Sequence, residues 1–492
     1  SFSRSIILPE LIVHLAHSSQ VVFFEGQPLL SDLLREHGHP VMTPCGGAGV
    51  CGRCLLKARG SLSPSPRDGL ARACSTRLAG DAQVWLTDLP QFQNITLAAS
   101  DALAGLAPMD GTFGLAVDIG TTTIAALLVD LADGKPLATA ACLNPQVQVA
   151  DNVIGRVAAA LSGQGQALQD MVRGAVRQLK QQLAQEAGIP EGSVSPMVIA
   201  GNTAMLHFYQ GLSPKSLSTA PFLAEHLFGE WTEAGSFLPR CIAAFLGADL
   251  LLAVLCSGMC DSTDTALLAD IGTNGEIALW HQGRLYCAAA AAGPAFEGGG
   301  IHMGSGSIKG AIDSVRAQGG RIVTTTIGGQ EAASICGSGI LDAASAFLDL
   351  GLMDETGRLA KDTLHLTERV FINQEDIRKL QLAKGAVAAA MGALCETAGV
   401  AFQDIRHFYL AGGFGVHMGI SSAARIGLIP ASLMEKTFPL GNAALSGAAM
   451  LLLNKQLLQT TRDMADRAQV VTLSGSPLFS RLFAERMLFE EF

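Results

Sequence analysis

Four cysteines, Cys45, Cys51, Cys54 and Cys74, are the residues of this chain best spaced for metal chemistry. The first three read Cys-x5-Cys-x2-Cys within Cys45-Gly-Gly-Ala-Gly-Val-Cys51-Gly-Arg-Cys54, and Cys74 follows 20 positions later. Thiolates at that spacing suit the four ligands of a [2Fe–2S] cluster, whose chemistry is one-electron transfer. Gly46, Gly47, Gly49 and Gly52 let the loop wrap closely and aim backbone N–H groups at sulfur. Two other readings stay open on spacing alone. Cys51-x2-Cys54 also suits structural zinc, although the remaining two cysteines form no second short hook. Buried core thiols are the other, although such thiols seldom crowd into a glycine-rich loop.

A second constellation is acidic and occurs twice. Asp118-Ile-Gly-Thr121 and Asp270-Ile-Gly-Thr273 lie 152 positions apart in matching contexts. Glycine in each turn lets backbone N–H groups approach phosphate oxygens. The candidate nucleotide-binding residues are Gly120, Thr121, Thr122 and Thr123 in the first turn and Gly272, Thr273, Asn274 and Gly275 in the second. Asn274-Gly275 also reads as a tight two-residue turn. Asp118 and Asp270 stand too close to phosphate to touch it, so they suit Mg²⁺ held through its retained waters. Gly412 and Gly413, after a strand, leave room for adenosine, and Glu297 is placed to orient a hydrolytic water or to serve as a plain capping carboxylate. Ordinary β-turns are the alternative for either acidic run alone; duplication favours an ATP site. No Gly-x4-Gly-Lys-Ser/Thr loop occurs, which excludes a P-loop ATPase.

The elements that must carry these residues follow from periodicity. Leu11–Leu15 and Val21–Phe24 predict two strands around a Ser18-Ser-Gln turn, and Pro28 opens a short helix over Leu29–Glu36. Residues 89–112 predict a tether. Each acidic run sits in a strand, glycine turn, strand, hairpin and strand. Helices are predicted near 165–187 and 375–398, before the strands Met197–Ala200 and His407–Ala411. Both halves close on a matching strand-to-helix step, at Ala243–Leu252 and Asn442–Leu451. Phe296–Gly306 predicts a flexible glycine-rich loop, with His302 structural, and Cys142, Cys241, Cys256, Cys260, Cys287, Cys336 and Cys395 predict buried thiols.

These motifs resemble known families. The first 88 residues are similar to the plant and adrenodoxin type of [2Fe–2S] ferredoxin, with a short gap that implies a trimmed fold between Cys54 and Cys74. Asp118–Thr123, Asp270–Glu276 and Leu410–Gly415 resemble the two phosphate motifs and the adenosine motif of the acetate kinase, sugar kinase, Hsp70 and actin superfamily. Ala200–Met205, Ala291–Gly298 and Ile335–Ile340, behind the ferredoxin-like unit, extend the resemblance to the reductive activators of corrinoid proteins. It implies an α+β ferredoxin-like domain (1–88), a linker (89–112) and a duplicated α/β ribonuclease-H-like ATPase (113–262 and 263–492). It also implies ATP, Mg²⁺ and a [2Fe–2S] cluster as cofactors. The cluster passes one electron to Co(II) of a corrinoid protein in a methyltransferase system, restoring Co(I), and a low-potential donor refills it. A homodimer is compatible with the resemblance. Better-known members carry an additional middle domain after the linker, and Asp118 arrives too early here to leave room for one.

Composition sets the remaining bounds. The chain has 492 residues, 49% hydrophobic and only 15% charged, so it buries sizeable cores. A net charge of −10 without a Lys/Arg run argues against nucleic acid. Eleven cysteines without a secretory leader predict a reducing, cytoplasmic setting. The longest apolar stretch, Cys241–Met259, contains Asp249 and two glycines, so it predicts a buried strand running into a core helix rather than a membrane span. An activator of a radical dehydratase and a nucleotide-gated redox sensor are the rival functions; iron and sulfide counting separates the first, and negligible turnover the second.

Overall fold

A computed structural model describes residues 8–14, 19–37, 39, 41, 54–66, 69–86, 107–220, 222–272 and 274–492. Cys45, Cys51, Thr273 and most of the predicted tether lie outside the described residues.

Alternation builds the N-terminal sheet. Leu11 and Val13 are fully buried on one face of β1 (Glu10–His14), which pairs antiparallel with β2 (Ser19–Phe23). The helix Leu30–Glu36 follows, with Leu30, Leu33 and Leu34 turned into the core. Between Cys54 and Cys74, where the resemblance implies a trimmed connection, lie two strands, β3 (Leu55–Ser63) and β4 (Leu70–Arg72). β5 (Arg77–Trp85) completes a five-stranded sheet ordered β2-β1-β5-β3-β4, in which only β1 and β5 run parallel. Gly60 bends β3 at a register shift: its φ is +109°, and a Cβ there would lie 2.4 Å from Asp81 O.

The rest of the chain is built twice. β6 (Phe113–Ile119), β7 (Thr123–Asp130), β8 (Pro136–Leu143), β9 (Val194–Gly201), β10 (Glu230–Trp231) and β11 (Ser236–Leu238) form one sheet in the order β10-β11-β9-β6-β7-β8. The second half begins with β12 (Ala266–Ile271), β13 (Gly275–His281) and β14 (Arg284–Ala290). A smaller sheet of β15 (Ala311–Gln318), β16 (Arg321–Thr326) and β17 (Ser334–Ile335) is inserted next, then a pair, β18 (Thr363–His365) and β19 (Phe371–Asn373). β20 (His407–Ala411), β21 (Thr437–Gly441) and β22 (Gln469–Val470) complete the order β21-β20-β12-β13-β14-β22. In both sheets the acid-bearing strand pairs antiparallel with its successor and parallel with a later strand: β6 with β7 and β9, β12 with β13 and β20. Long helices Gly165–Ala187 and Gln374–Ala398 lie where the periodicity predicts them.

The closing helices lock the halves together. Ala248–Ser257 buries Leu250, Leu251 and Val254 against Leu268, Ala278 and Cys287 of the second sheet. Ala443–Leu453 buries Leu445, Ala448 and Leu452 against Ala116, Leu127 and Val198 of the first. The helices cross closely enough that a Cβ on Gly447 would sit 2.4 Å from Leu252 O.

Three expectations change. Residues 241–247 form no strand, only an isolated bridge between Ala243 and Leu246, and the apolar run is the buried helix itself. Among the described residues no helix is long and apolar enough to cross a membrane. Gly275 belongs to β13, opposite Ile271, rather than to a two-residue turn. Its missing side chain makes room for Val387 of the long helix, 2.9 Å from where a Cβ would stand. The stretch 296–306 is tightly folded: Phe296 and Ile301 are buried, and Cβ atoms on Gly298 and Gly304 would each meet a carbonyl oxygen at 2.1 Å. His302 anchors there through its backbone N–H to Asp376 Oδ1 at 2.6 Å. Cys241, Cys287, Cys336 and Cys395 are buried, and Cys142, Cys256 and Cys260 are half-buried.

Candidate functional site

The cleft between the halves gathers carboxylates from both. Asp118 closes β6 and Asp270 closes β12, so the parallel neighbours β9 and β20 end beside them. Asp249 comes from the first turn of the helix Ala248–Ser257 and Glu276 from β13, directly opposite Asp270. Burial pushes Asp118 up to about 6, against the hydrogen bond from Asn442. Burial, then the charges of Asp118 and Glu297, push Asp270 up to about 7. Burial, then Asp118 and Asp270, push Asp249 up to about 8. Glu276 is raised well above the usual carboxylate range by burial, Asp249 and Asp270. Repulsion from neighbouring carboxylates adds to burial at Asp249, Asp270 and Glu276, an environment that a hard divalent cation relieves. Among the described residues no three His, Cys, Asp or Glu side chains form a ready metal cage.

Polar contacts cross between the halves at this point. Asn442 caps the helix Ala443–Leu453 by accepting from Leu445 N, and its Nδ2 donates to Asp118 Oδ2 at 3.0 Å. In the other direction, Gly247, the cap of the helix Ala248–Ser257, turns its backbone N–H toward Glu276 and partly offsets the rise of that carboxyl. Glu276 Oε1 is buried and has no hydrogen-bond partner among the described residues. Each closing helix therefore begins beside a carboxylate of the opposite half, where a helix N-terminus favours negative charge.

The first turn is braced from behind. Asn144 Nδ2 donates to Gly120 O at 2.8 Å. The fully buried Arg156 donates to Thr121 O at 2.6 Å and to Ala150 O at 2.9 Å. Burial lowers this guanidinium to about 10, partly offset by Asp151, so it stays charged. Asn202 Nδ2 reaches Thr121 Oγ1 at 3.3 Å. Glu297 bridges the turns: Thr122 Oγ1 donates to its Oε2 at 3.5 Å, and its Oε1 would lie 3.6 Å from a Cβ on Gly272. Thr123 starts β7, its carbonyl accepting from Gly120 N, and Asn274 O accepts from Gly272 N.

Gly412 does not simply vacate space for adenosine. Its φ is +83°, and a Cβ would lie 2.6 Å from Asp270 Oδ1, so the glycine accommodates the carboxylate. Gly413 faces open space: a Cβ there would meet no heavy atom within 4 Å. Sequence reasoning passed over Asn144, Arg156, Asp249 and Asn442 as site residues, and took Asn202 and Glu276 only as members of the motifs Ala200–Met205 and Asp270–Glu276. The available signal was positional: Gly247 and Asn442 both start the helix that closes a half.

In the N-terminal unit Cys54 Sγ and Cys74 Sγ are buried and 3.1 Å apart, too long for a disulfide and close enough to serve one metal centre. Backbone bonds hold them there. Ala73 N donates to Cys54 O at 2.9 Å, and Leu30 N and Ser31 N at the helix start donate to Thr76 O and Ala73 O.

A family model described as the RACo middle region matches residues 113–262, and one described as the C-terminal domain of RACo, the ASKHA domain, matches 264–491. The chain belongs to the RACo family. The middle region, for which the early position of Asp118 leaves no room between tether and ATPase, is thus present as the first of the duplicated halves. Among relatives, a corrinoid activation enzyme, RamQ, of Eubacterium limosum is 29% identical over 419 residues, covering 77% of this chain and 70% of that protein. A reductase of the Co(II) methylated amine-specific corrinoid protein, from Methanosarcina barkeri, is 25% identical over 415 residues, 75% of this chain and 76% of that one. The solved structure of a reductive activator for a corrinoid, iron-sulfur protein superposes with a TM-score of 0.70 at 24% identity, over 98% of this chain and 99% of that chain, and shares the fold.

Proposed function

We propose that this RACo-family protein is an ATP-dependent reductive activator that delivers one electron to Co(II) of a corrinoid protein and regenerates Co(I) for methyl transfer. The names of its relatives support the corrinoid partner. The observation that carries the coupling is the cross-half hydrogen bond from Asn442 to Asp118, at a carboxylate cluster drawn from both halves. Asp118 and Asp270, one from each half, would hold the Mg²⁺ of a nucleotide and so would tie its binding to both halves at once. ATP then drives an uphill transfer by favouring one conformation of the complex over another.

The chain's residues divide the work. Thr121, Thr122, Thr273 and Asn274 would present donors to phosphate oxygens from turns closed by Gly120 and Gly272, and Asp118 and Asp270 would hold Mg²⁺ through its waters. Glu297, set between the two turns, orients the attacking water. Gly413 borders the space for the nucleoside. Residues 1–88 serve as a ferredoxin-like carrier tethered by 89–112 to the halves 113–262 and 263–492. Cys45, Cys51, Cys54 and Cys74 would hold its [2Fe–2S] cluster, which when bound supplies a one-electron couple near about −400 mV. The low-potential donor and a cytoplasmic setting belong to the same reading.

Mixing the anaerobically reduced protein with a cob(II)-form corrinoid protein tests it. Co(I) absorption should rise with ATP and stay at background without it. Intact ATP hydrolysis with no Co(I) would overturn the proposal.

A further inference from the structure

The outer face of the N-terminal sheet carries a cation–aromatic platform that the ATPase halves leave exposed. Lys57 of β3, Trp85 of β5 and His14 of β1 stand side by side by register, and Arg59 with Gln83 forms the next row. Trp85 is the centre. His14 stacks on it with ring centroids 4.8 Å apart and planes at 17°. Lys57 Nζ and Arg59 Cζ lie 5.5 and 5.6 Å from the ring. His14 is fixed in turn by Ser19 Oγ at 2.9 Å and Gln83 Oε1 at 3.2 Å. Cation–π contact holds both charges over one plane instead of leaving them on wandering stems. Neither Lys57 nor Arg59 makes an ion pair among the described residues.

Charge and position point the same way. Residues 54–86 hold five Lys/Arg and two Asp/Glu, against 28 and 41 in the rest of the chain. Arg72, paired with Leu55 and exposed on this face, extends the stripe toward the ends of β3 and β4 where Cys54 and Cys74 stand. Val21 and Phe23, 48% and 61% exposed, supply an apolar margin on β2. A basic strip with an aromatic centre and an apolar edge suits a negatively charged protein surface. The acidity of the whole chain disfavours a nucleic acid there.

We propose that Lys57, Arg59 and Trp85 form the docking surface for an acidic electron-donor protein. This rests on the reading of the four cysteines as ligands of a one-electron centre. The acceptor must feel the nucleotide state and so must touch the ATPase halves; the donor has only to reach the cysteines. In transfer the donor is oxidised by one electron and the N-terminal centre reduced by one, with no bond made or broken.

Binding of oxidised flavodoxin, an acidic flavin protein, to the full chain tests the docking directly. Trp85 fluorescence and calorimetry read the equilibrium, and iron content is measured on the same samples. Affinity should fall at least about tenfold in K57E/R59E and by less in K57Q/R59Q, and the steep salt dependence of the native chain should flatten in both. Thermal stability and ATP hydrolysis serve as folding controls and should not change. Equal affinity in K57E/R59E, or no binding by the native chain at low ionic strength, would overturn the proposal. So would loss, in the same variants, of binding to a single-stranded oligonucleotide while flavodoxin binding persists. Iron-free native protein that still binds flavodoxin through these residues would instead sink the reading of the cysteines and leave the docking surface standing.

Discussion

Asp118 and Asp270 end equivalent strands of equivalent sheets, yet their surroundings differ. Opposite Asp118 on the partner strand stands Ala125; opposite Asp270 stands Glu276. Asp118 receives a hydrogen bond from Asn442, while Asp270 faces further negative charge and a glycine pressed against its carboxylate. The first turn is gripped by Asn144, Arg156 and Asn202. After β20 the position equivalent to Asn202 is the open Gly413, and Gly412 matches Gly201. Duplication supplied two copies of one scaffold. One became a rigid brace, and the other kept its charge uncompensated and its side chains short, which is what a removable cation and nucleotide require.

The largest effect should come from the second acid. D270N should lower ATP hydrolysis by about 100-fold or more, as loss of a preorganised electrostatic group does. The same variant removes a repelled, buried carboxylate, so the nucleotide-free protein should melt higher at pH 8 than the native chain. Loss of activity with lower stability would erase the contrast between the turns, because it would mean that Asp270 is a structural residue.

Arg156 probes the brace. R156A strands Thr121 O and Ala150 O in a buried site, and unfolding in urea should show a loss of about 3 kcal/mol. A much smaller loss would show that the first turn holds itself.

The turns that follow β9 and β20 come next. G412A places a Cβ against Asp270 Oδ1 at a positive φ, and ATP affinity should drop about tenfold by calorimetry. N202A removes only one long hydrogen bond to Thr121 Oγ1 and should weaken affinity by about threefold or less. Equal losses would mean the two sites are used alike.

The smallest effect is a slope with pH. Asp118, Asp249 and Asp270 titrate near 6, 8 and 7 when folded, above ordinary aspartate. The folded state therefore binds more protons than the unfolded one across this range, and stability must fall as pH rises from about 4 toward 8. Melting of the nucleotide-free protein from pH 5 to 8.5 should show this decline, and Mg²⁺ should flatten it. A rise in stability with pH would contradict the unpaired cluster.

Much of this design was legible in residue order, because duplication repeats local chemistry. The two Asp-Ile-Gly-Thr runs, both long helices and the strands before Asn202 and Gly412 lie where periodicity predicts them. What escaped depends on packing across the halves. Asp249 is a lone acid in an apolar run, and only the closed cleft makes it a neighbour of Asp270, whereas Glu276 faces Asp270 within one half across β12 and β13. Glycines were the other blind spot. Gly275, Gly298, Gly304 and Gly412 read as turns, flexibility or ligand space, whereas each admits a specific neighbour too close for any Cβ. Arg156 carried no local signal, since its partners are carbonyl groups contributed by Ala150 and by Thr121, 35 positions away.

The most direct test compares Co(I) formed in a single anaerobic turnover by native protein and D270N, both fully reduced and both supplied with ATP. The account predicts one-electron reduction of the corrinoid partner by the native chain and only the ATP-free background from D270N. Equal Co(I) from both would contradict it, because electrons would then reach cobalt without the nucleotide site.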